Sequence, residues 1–284
     1  MYKPVIIIGA PRSGTNMLRD LLIELSEVGT WPCDEINYIW RHGNVQYPSD
    51  EFTPQMASPE VRAYISKQFD KIGKGKKLDT VVEKTCANSL RVGFVNKVIP
   101  DAKYIFIVRD GMDVVASALK RWKATLNIPY VLRKTRYVPP SDLPYYASRY
   151  LLHRLYKLTS NEKRLARWGP VTDGMDALLE QYSLPEVCAL QWKACVENAE
   201  RDLSAIPAEN ILRVKYEEFV NEPVKEFARL AYFLNKQLPN TFDEYLHQNV
   251  RKDSVGKGRA VLGKVHREKI KSHIADTLAT YGYQ

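Results

Sequence analysis

Cysteine is scarce in this 284-residue chain: Cys33, Cys86, Cys188 and Cys195 are the only four. None forms a CxxC pair or stands at zinc spacing beside a histidine, which excludes a disulfide scaffold and points to reduced, mostly buried thiols. Long apolar runs are missing too. No stretch reaches the roughly 20 apolar residues that span a bilayer. The run Val5–Ile8 near Met1 is too short for the core of a secretory signal. The expectation is a cytoplasmic chain with no membrane span. There is no internal repeat, low-complexity segment, long Lys/Arg run, zinc-finger spacing or RNA-binding aromatic motif, so nucleic acid is not the expected partner. Nothing in the pattern fixes an oligomeric state. His42, His153, His247, His266 and His273 show no triad or metal-ligand spacing and read as structural or surface residues.

What is present is a globular composition, 45% apolar and 26% charged, with 42 Lys and Arg against 33 Asp and Glu, a net charge of +9. The positive surplus favours anionic partners. Val5-Ile6-Ile7-Ile8 is β-branched and continuous, as in a strand buried on both faces. From Thr15 a helix is expected, its apolar face running through Met17, Leu18, Leu21, Leu22, Leu25 and Val28, with Gly29 as its stop. Further strands are expected at Thr80–Val82, Lys103–Val108 and Ile211–Val214. Asp110 is placed to cap a helix ending near Trp122, and another helix is expected at Val224–Leu234.

Strands alternating with helices predict an α/β fold with a central parallel sheet flanked by helices, one domain over 1–284. Residues 123–200 show helical stretches near Tyr145–Leu158 and Val187–Leu203 but no strand, and read as a helical insertion over a sheet edge. Gly256-Lys257-Gly258-Arg259 reads as a flexible segment before a last helix with Ile270, Ile274 and Leu278 on one face.

Two segments carry chemistry. The first, VIIIGAPRSGTNMLRDLL, is a strand, a tight loop and a helix start. Successive backbone N–H groups at such a junction bind an anion, helped by the helix dipole. Gly9 and Gly14 admit the backbone to a phosphate, Ser13 and Thr15 add hydroxyls, and Arg12 adds a charged fork. A P-loop would place lysine after Gly14, where this chain has Thr15; its cation stands earlier, at Arg12. The second, YIFIVRDGMDVVASALKRW, ends a strand on Arg109 and places Ser117 two turns into the next helix, a pair able to grip one phosphate.

PRSGT after an apolar strand resembles the 5′-phosphosulfate loop of sulfotransferases that use 3′-phosphoadenosine 5′-phosphosulfate (PAPS). Arg109 with Ser117 eight positions on resembles the 3′-phosphate motif of the same family. The resemblance continues in Glu83-Lys84-Thr85, in Tyr216-Glu217-Glu218, whose tyrosine approaches the adenine in the family, and in the late basic loop Lys257-Gly258-Arg259. It implies a P-loop-like three-layer fold, PAPS as sulfuryl donor and adenosine 3′,5′-bisphosphate (PAP) as product. Arg12, Ser13, Gly14, Thr15, Asn16, Arg109, Ser117, Tyr216, Lys257, Gly258 and Arg259 are then the cofactor-binding residues. The acceptor is a small molecule or glycan bearing a hydroxyl or amine. No metal is required.

By analogy with phosphoryl transfer, in-line sulfuryl transfer needs positioning and charge stabilisation. Arg12 is placed for the bridging oxygen and Lys84 for the sulfuryl oxygens. The base histidine of the cytosolic members falls on Cys86 here, and their adenine-stacking tryptophan on Met17. Cys33-Asp34-Glu35 resembles the stretch that carries the glutamate base of the tyrosylprotein members. Glu35 is therefore the candidate base, with Asp34 and Glu83 as rivals. Trp122, Trp168 and Trp192 are candidates to stack on an acceptor ring. A P-loop small-molecule kinase and a non-catalytic nucleotide-binding protein are the alternatives.

Overall fold

The computed structural model describes residues 2–124, 134–149, 151, 165 and 167–284. Five parallel strands form one sheet: β1 (Lys3–Ile8), β2 (Val28–Gly29), β3 (Thr80–Lys84), β4 (Lys103–Val108) and β5 (Ile211–Lys215), in the order β2-β3-β1-β4-β5. Their apolar runs fit burial on both faces. Along β1 the side chains alternate, Ile6 and Ile8 entering one core and Val5 and Ile7 the other. The three-layer α/β architecture is as the sequence predicts.

The helices that frame the site are α1 (Thr15–Leu22), α2 (Asn37–Trp40), α3 (Pro59–Gly75), α4 (Val92–Val98) and α5 (Gly111–Trp122). Asp110 caps α5, its carboxylate accepting from Met112 N at 2.8 Å. In α3, to which no sequence expectation was attached, Ser58 caps Val61 N, Pro59 opens the first turn, and Val61, Ile65 and Phe69 are buried.

Two expectations are corrected. The first helix stops at Leu22 instead of running to Val28, and Val28–Gly29 is an edge strand. Glu27 turns the chain in the left-handed region at φ 59°, and Gly29 lies where a Cβ would come 2.6 Å from Leu78. The last part of the segment read as an insertion is part of the main fold: helix Leu184–Leu203 packs on α5 and on the final helix Lys264–Thr280, and buries Trp192. Residues 143–149 are helical, while the rest of the expected Tyr145–Leu158 helix falls largely outside the described residues. Ile270, Ile274 and Leu278 of the final helix are buried, as their spacing predicts.

The chain runs from β1 to β2 and β3 on one side, then crosses back to β4 on the other. Ligands of open parallel sheets bind where the strand order reverses, beyond the carboxyl ends of the strands. The register Ile7↔Lys84 and Ile8↔Phe106 brings the loop after β1, the end of β3 and Arg109 after β4 to that one edge.

Candidate active site

The loop after β1 folds into a tight, glycine-framed turn. Both Arg12, at φ 73°, and Gly14, at φ 93°, occupy the left-handed region, a conformation that costs a non-glycine residue energy and clusters at functional sites. Gly9 and Gly14 are needed for space: a Cβ on Gly9 would sit 2.7 Å from Ile107 O, and one on Gly14 2.5 Å from the Tyr216 ring. The buried hydroxyl of Ser13 has no hydrogen-bond partner, as expected of a donor waiting for an oxyanion. Arg12 donates through Nε to Ser117 Oγ at 2.9 Å. Burial, followed by the charges of Arg121 and Arg109, pulls the Arg12 pKa down from its usual value. An anion between these guanidinium groups would relieve that repulsion.

Arg109 is buried at the end of β4. It donates to Ser254 O at 2.6 Å and Arg12 O at 3.2 Å, and its guanidinium lies 4.3 Å from the Tyr216 ring centroid. Its Nε is buried and unpartnered, a second donor with no acceptor in the protein. Trp192 Nε1 holds the Arg109 carbonyl at 3.2 Å, so the Leu184–Leu203 helix positions this anchor.

The segment expected to be flexible opens a short helix, Lys257–Val261. Asp113 on α5 accepts from Gly256 N at 2.8 Å and from Gly258 N at 2.6 Å, with Arg109 Nη2 at 3.4 Å. Gly258 fits flush on α5, where a Cβ would come 2.4 Å from Met112 O. Tyr216 closes the arrangement with its hydroxyl 2.8 Å from Ser254 Oγ.

At the end of β3, Lys84 Nζ lies 3.0 Å from Glu35 Oε1, and Cys86 N donates to the same oxygen at 3.4 Å. Burial opposes the Lys84 charge, yet its pKa is raised by Cys86 and Glu35. Burial pushes the Cys86 thiol up from its ordinary range. The rival acids differ. Asp34 pairs with Lys134 at 2.9 Å. Glu83 is 1% exposed and accepts from Thr85 Oγ1 at 2.5 Å and Asn88 Nδ2 at 2.9 Å; burial pushes its pKa up to about 7. Thr85 in turn receives Ile36 N at 3.1 Å, so Glu83 braces the Glu35 segment from behind.

One cavity of about 1210 Å³ joins these parts. Of the residues singled out in the sequence, Arg12, Gly14, Thr15, Asn16, Glu35, Lys84, Arg109, Ser117, Tyr216, Lys257 and Gly258 line it. Ser13 is buried and does not line it, and Arg259 pairs with Asp110 Oδ2 at 3.0 Å. Trp168 lines the cavity, whereas Trp122 and Trp192 are core residues. Sequence reasoning missed Asp113 as the loop's anchor, although its place four residues after Arg109 was a usable signal. It also missed Tyr38, Arg41 and Lys134 on the opposite wall, for which no local signal exists. No group of side chains able to hold a metal occurs, and no helix is long and apolar enough to cross a membrane, among the described residues.

The family model described as the sulfotransferase family matches residues 4–167. Among solved structures, the sulfotransferase domain from the curacin biosynthetic pathway superposes with a TM-score of 0.57 at 15% identity, over 100% of this chain and 99% of its own. Sulfotransferase STF9 from Mycobacterium avium gives 0.55 at 14%, over 100% and 78%. A mouse sulfotransferase complexed with PAP gives 0.51 at 13%, over 98% and 85%. At these identities the likeness is one of fold. No curated protein matches the sequence.

Proposed function

The chain belongs to the sulfotransferase family, and from that premise we propose that it moves the sulfuryl group of PAPS to a hydroxyl or amine acceptor, with Glu35 as general base. One observation carries this reading: a glycine-framed anion cradle, a second buried arginine anchor and the Lys84–Glu35 pair open into the same cavity. The orphaned donors Ser13 Oγ and Arg109 Nε are what two separate phosphate groups would satisfy. That the mouse relative was solved with PAP agrees with this donor.

In this reading the loop N–H groups, Ser13 and Thr15 hold the 5′-phosphosulfate. Arg109, Ser117 and Lys257 hold the 3′-phosphate, while Gly258, its N–H donated to Asp113, seats the loop on α5. Tyr216 packs beside the nucleotide, and Asn16 adds a polar group to the wall. Arg259 acts indirectly, tying the late loop to Asp110. The acceptor oxygen bonds to sulfur as the sulfur–oxygen bond to the phosphate breaks. The departing electron pair stays on the bridging oxygen, where Arg12 offsets the charge. Lys84 faces the sulfuryl oxygens, and the acceptor proton passes to Glu35. Fixed cations placed where charge develops are a large source of rate enhancement in a water-poor cleft. The Lys84–Glu35 contact keeps acid and cation in register before the acceptor arrives.

The test is transfer of label from sulfur-labelled PAPS to a panel of hydroxyl and amine acceptors, with PAP release measured alongside. Turnover with stoichiometric PAP supports the reading. Tight PAP binding without transfer to any acceptor would favour a nucleotide-binding protein, and magnesium-dependent ATP turnover a kinase.

A further inference from the structure

We propose that the acceptor is an anionic hydroxy compound, carrying a carboxylate, phosphate or sulfate besides the group that is sulfated. This rests on the sulfotransferase reading and deepens it.

The donor motifs leave much of the cavity wall unassigned, and that wall is strongly basic. It carries Lys120, Lys134, Arg149 and Arg167, with Arg121, whose charge also bears on Arg12, shared with the donor side. Lys134 faces Asp34, and Arg167 pairs with Asp176. Lys120, Arg121 and Arg149 have no carboxylate partner among the described residues. Carboxylates on the same wall are already engaged: Asp34 by Lys134, and Asp50 by Arg41 at 2.8 Å and by buried Arg91 at 3.4 Å. Like charges gathered in a cleft raise the local concentration of an anion and strengthen its hold.

Arg149 is the most telling of the three. It lies one turn after Tyr145 and Tyr146 on the helix at 143–149, apart from every donor motif. Its guanidinium is steadied by Tyr145 Oη at 2.8 Å. Tyr146 stands edge-on to Tyr38 with ring centroids 4.6 Å apart, and its buried hydroxyl has no partner. An arginine oriented in this way on the cavity wall is a charge-assisted donor for an oxyanion. Tyr38 and Trp168 on the same cavity wall supply flat apolar surface for the remainder of the molecule. A neutral acceptor would leave Arg149 with no carboxylate or other counter-charge among the described residues.

The experiment uses the full chain saturated with PAP, so that the donor cations are already occupied. It is titrated calorimetrically with 4-hydroxyphenylacetate and 4-hydroxyphenyl phosphate as carboxylate and phosphate probes, and with 2-(4-hydroxyphenyl)ethanol as the neutral probe of similar size. At least one anionic probe should bind about tenfold or more tightly than the alcohol, and the preference should shrink as salt rises. The two anionic arms distinguish a carboxylate from a phosphoryl group. Arg149→Ala should remove most of the preference while PAP affinity stays at the wild-type value. If neither anion binds more tightly than the alcohol, or if Arg149→Ala keeps the full preference, the proposal is overturned. A loss of PAP affinity in Arg149→Ala would assign that arginine to the donor and also overturn it. Failure of the wild-type chain to bind PAP at the outset would instead strike the sulfotransferase reading itself.

Discussion

Asp113 accepts the backbone N–H groups of both Gly256 and Gly258, at 2.8 and 2.6 Å, from a position four residues after Arg109 on the same strand-to-helix junction. The late basic loop is thereby seated on α5 before any ligand enters. Ordering a loop in advance lowers the entropy lost on binding.

Asp113→Asn should leave the fold intact and weaken PAP. The amide keeps one acceptor for two N–H donors, and an unsatisfied buried donor costs about 1–3 kcal/mol. Calorimetry with PAP, together with hydrogen exchange over 251–259, checks this. Wild-type affinity with unchanged exchange would show that the loop needs no such anchor.

PAP should bind without added metal and more tightly than AMP, which lacks the 3′-phosphate. Equal affinities would remove the two-anchor model. Arg109→Ala should weaken PAP by about 1.5–3 kcal/mol, the range for a hydrogen bond to a charged group. An unaltered Kd in that variant would place Arg109 outside the nucleotide site.

Glu35→Gln should lower turnover about 10²–10⁴-fold, the usual contribution of a general base, and leave PAP affinity nearly unchanged. Asp34→Asn and Glu83→Gln are the comparisons. If Glu35→Gln turns over normally while one of those two is dead, the base has been misassigned within a correct fold.

Glu83 makes its own signature in stability. Its folded pKa of about 7 lies above the usual carboxylate value, so the folded chain binds the extra proton more tightly than the unfolded one. Its contribution to stability is greatest at low pH and falls as pH rises from about 4.5 to about 7. The full swing is about 3 kcal/mol, from 1.36 kcal/mol per pKa unit. Unfolding by urea at pH 5 and pH 8 should therefore show a fall in the wild type that Glu83→Gln lacks. Parallel behaviour of the two proteins would mean that Glu83 titrates near its ordinary value.

Much of the donor side was legible in the chain because its parts are short and contiguous. The apolar run Val5–Ile8, the glycines at 9 and 14, and Arg109 after Lys103–Val108 each combine strand, turn and anion-binding chemistry within a few residues. The end of α1 was misread because Leu25 and Val28 continue the helical spacing. Both are buried, but in the core beside α1, reached through a turn that periodicity does not reveal. The role of Leu184–Leu203 was misread for a similar reason. Its spacing showed a helix, whereas its packing on α5 and on the Lys264–Thr280 helix joins segments distant in the chain.

The sequence by itself determined the parallel α/β fold and the glycine-framed turn after its first strand. Alternation, turn chemistry and helix capping act over distances of a few residues, and a linear pattern encodes them. Only the tertiary structure decided what meets the reacting group. The Lys84–Glu35 contact joins residues 49 positions apart, and the Asp113 anchor joins residues 143 and 145 apart. The basic wall draws on α5, residue 134 and the helix at 143–149 together. Charge pairing falls off within a few ångströms of space and takes no account of sequence distance. Such relations exist only once the sheet has brought the ends of β1, β3 and β4 to one edge.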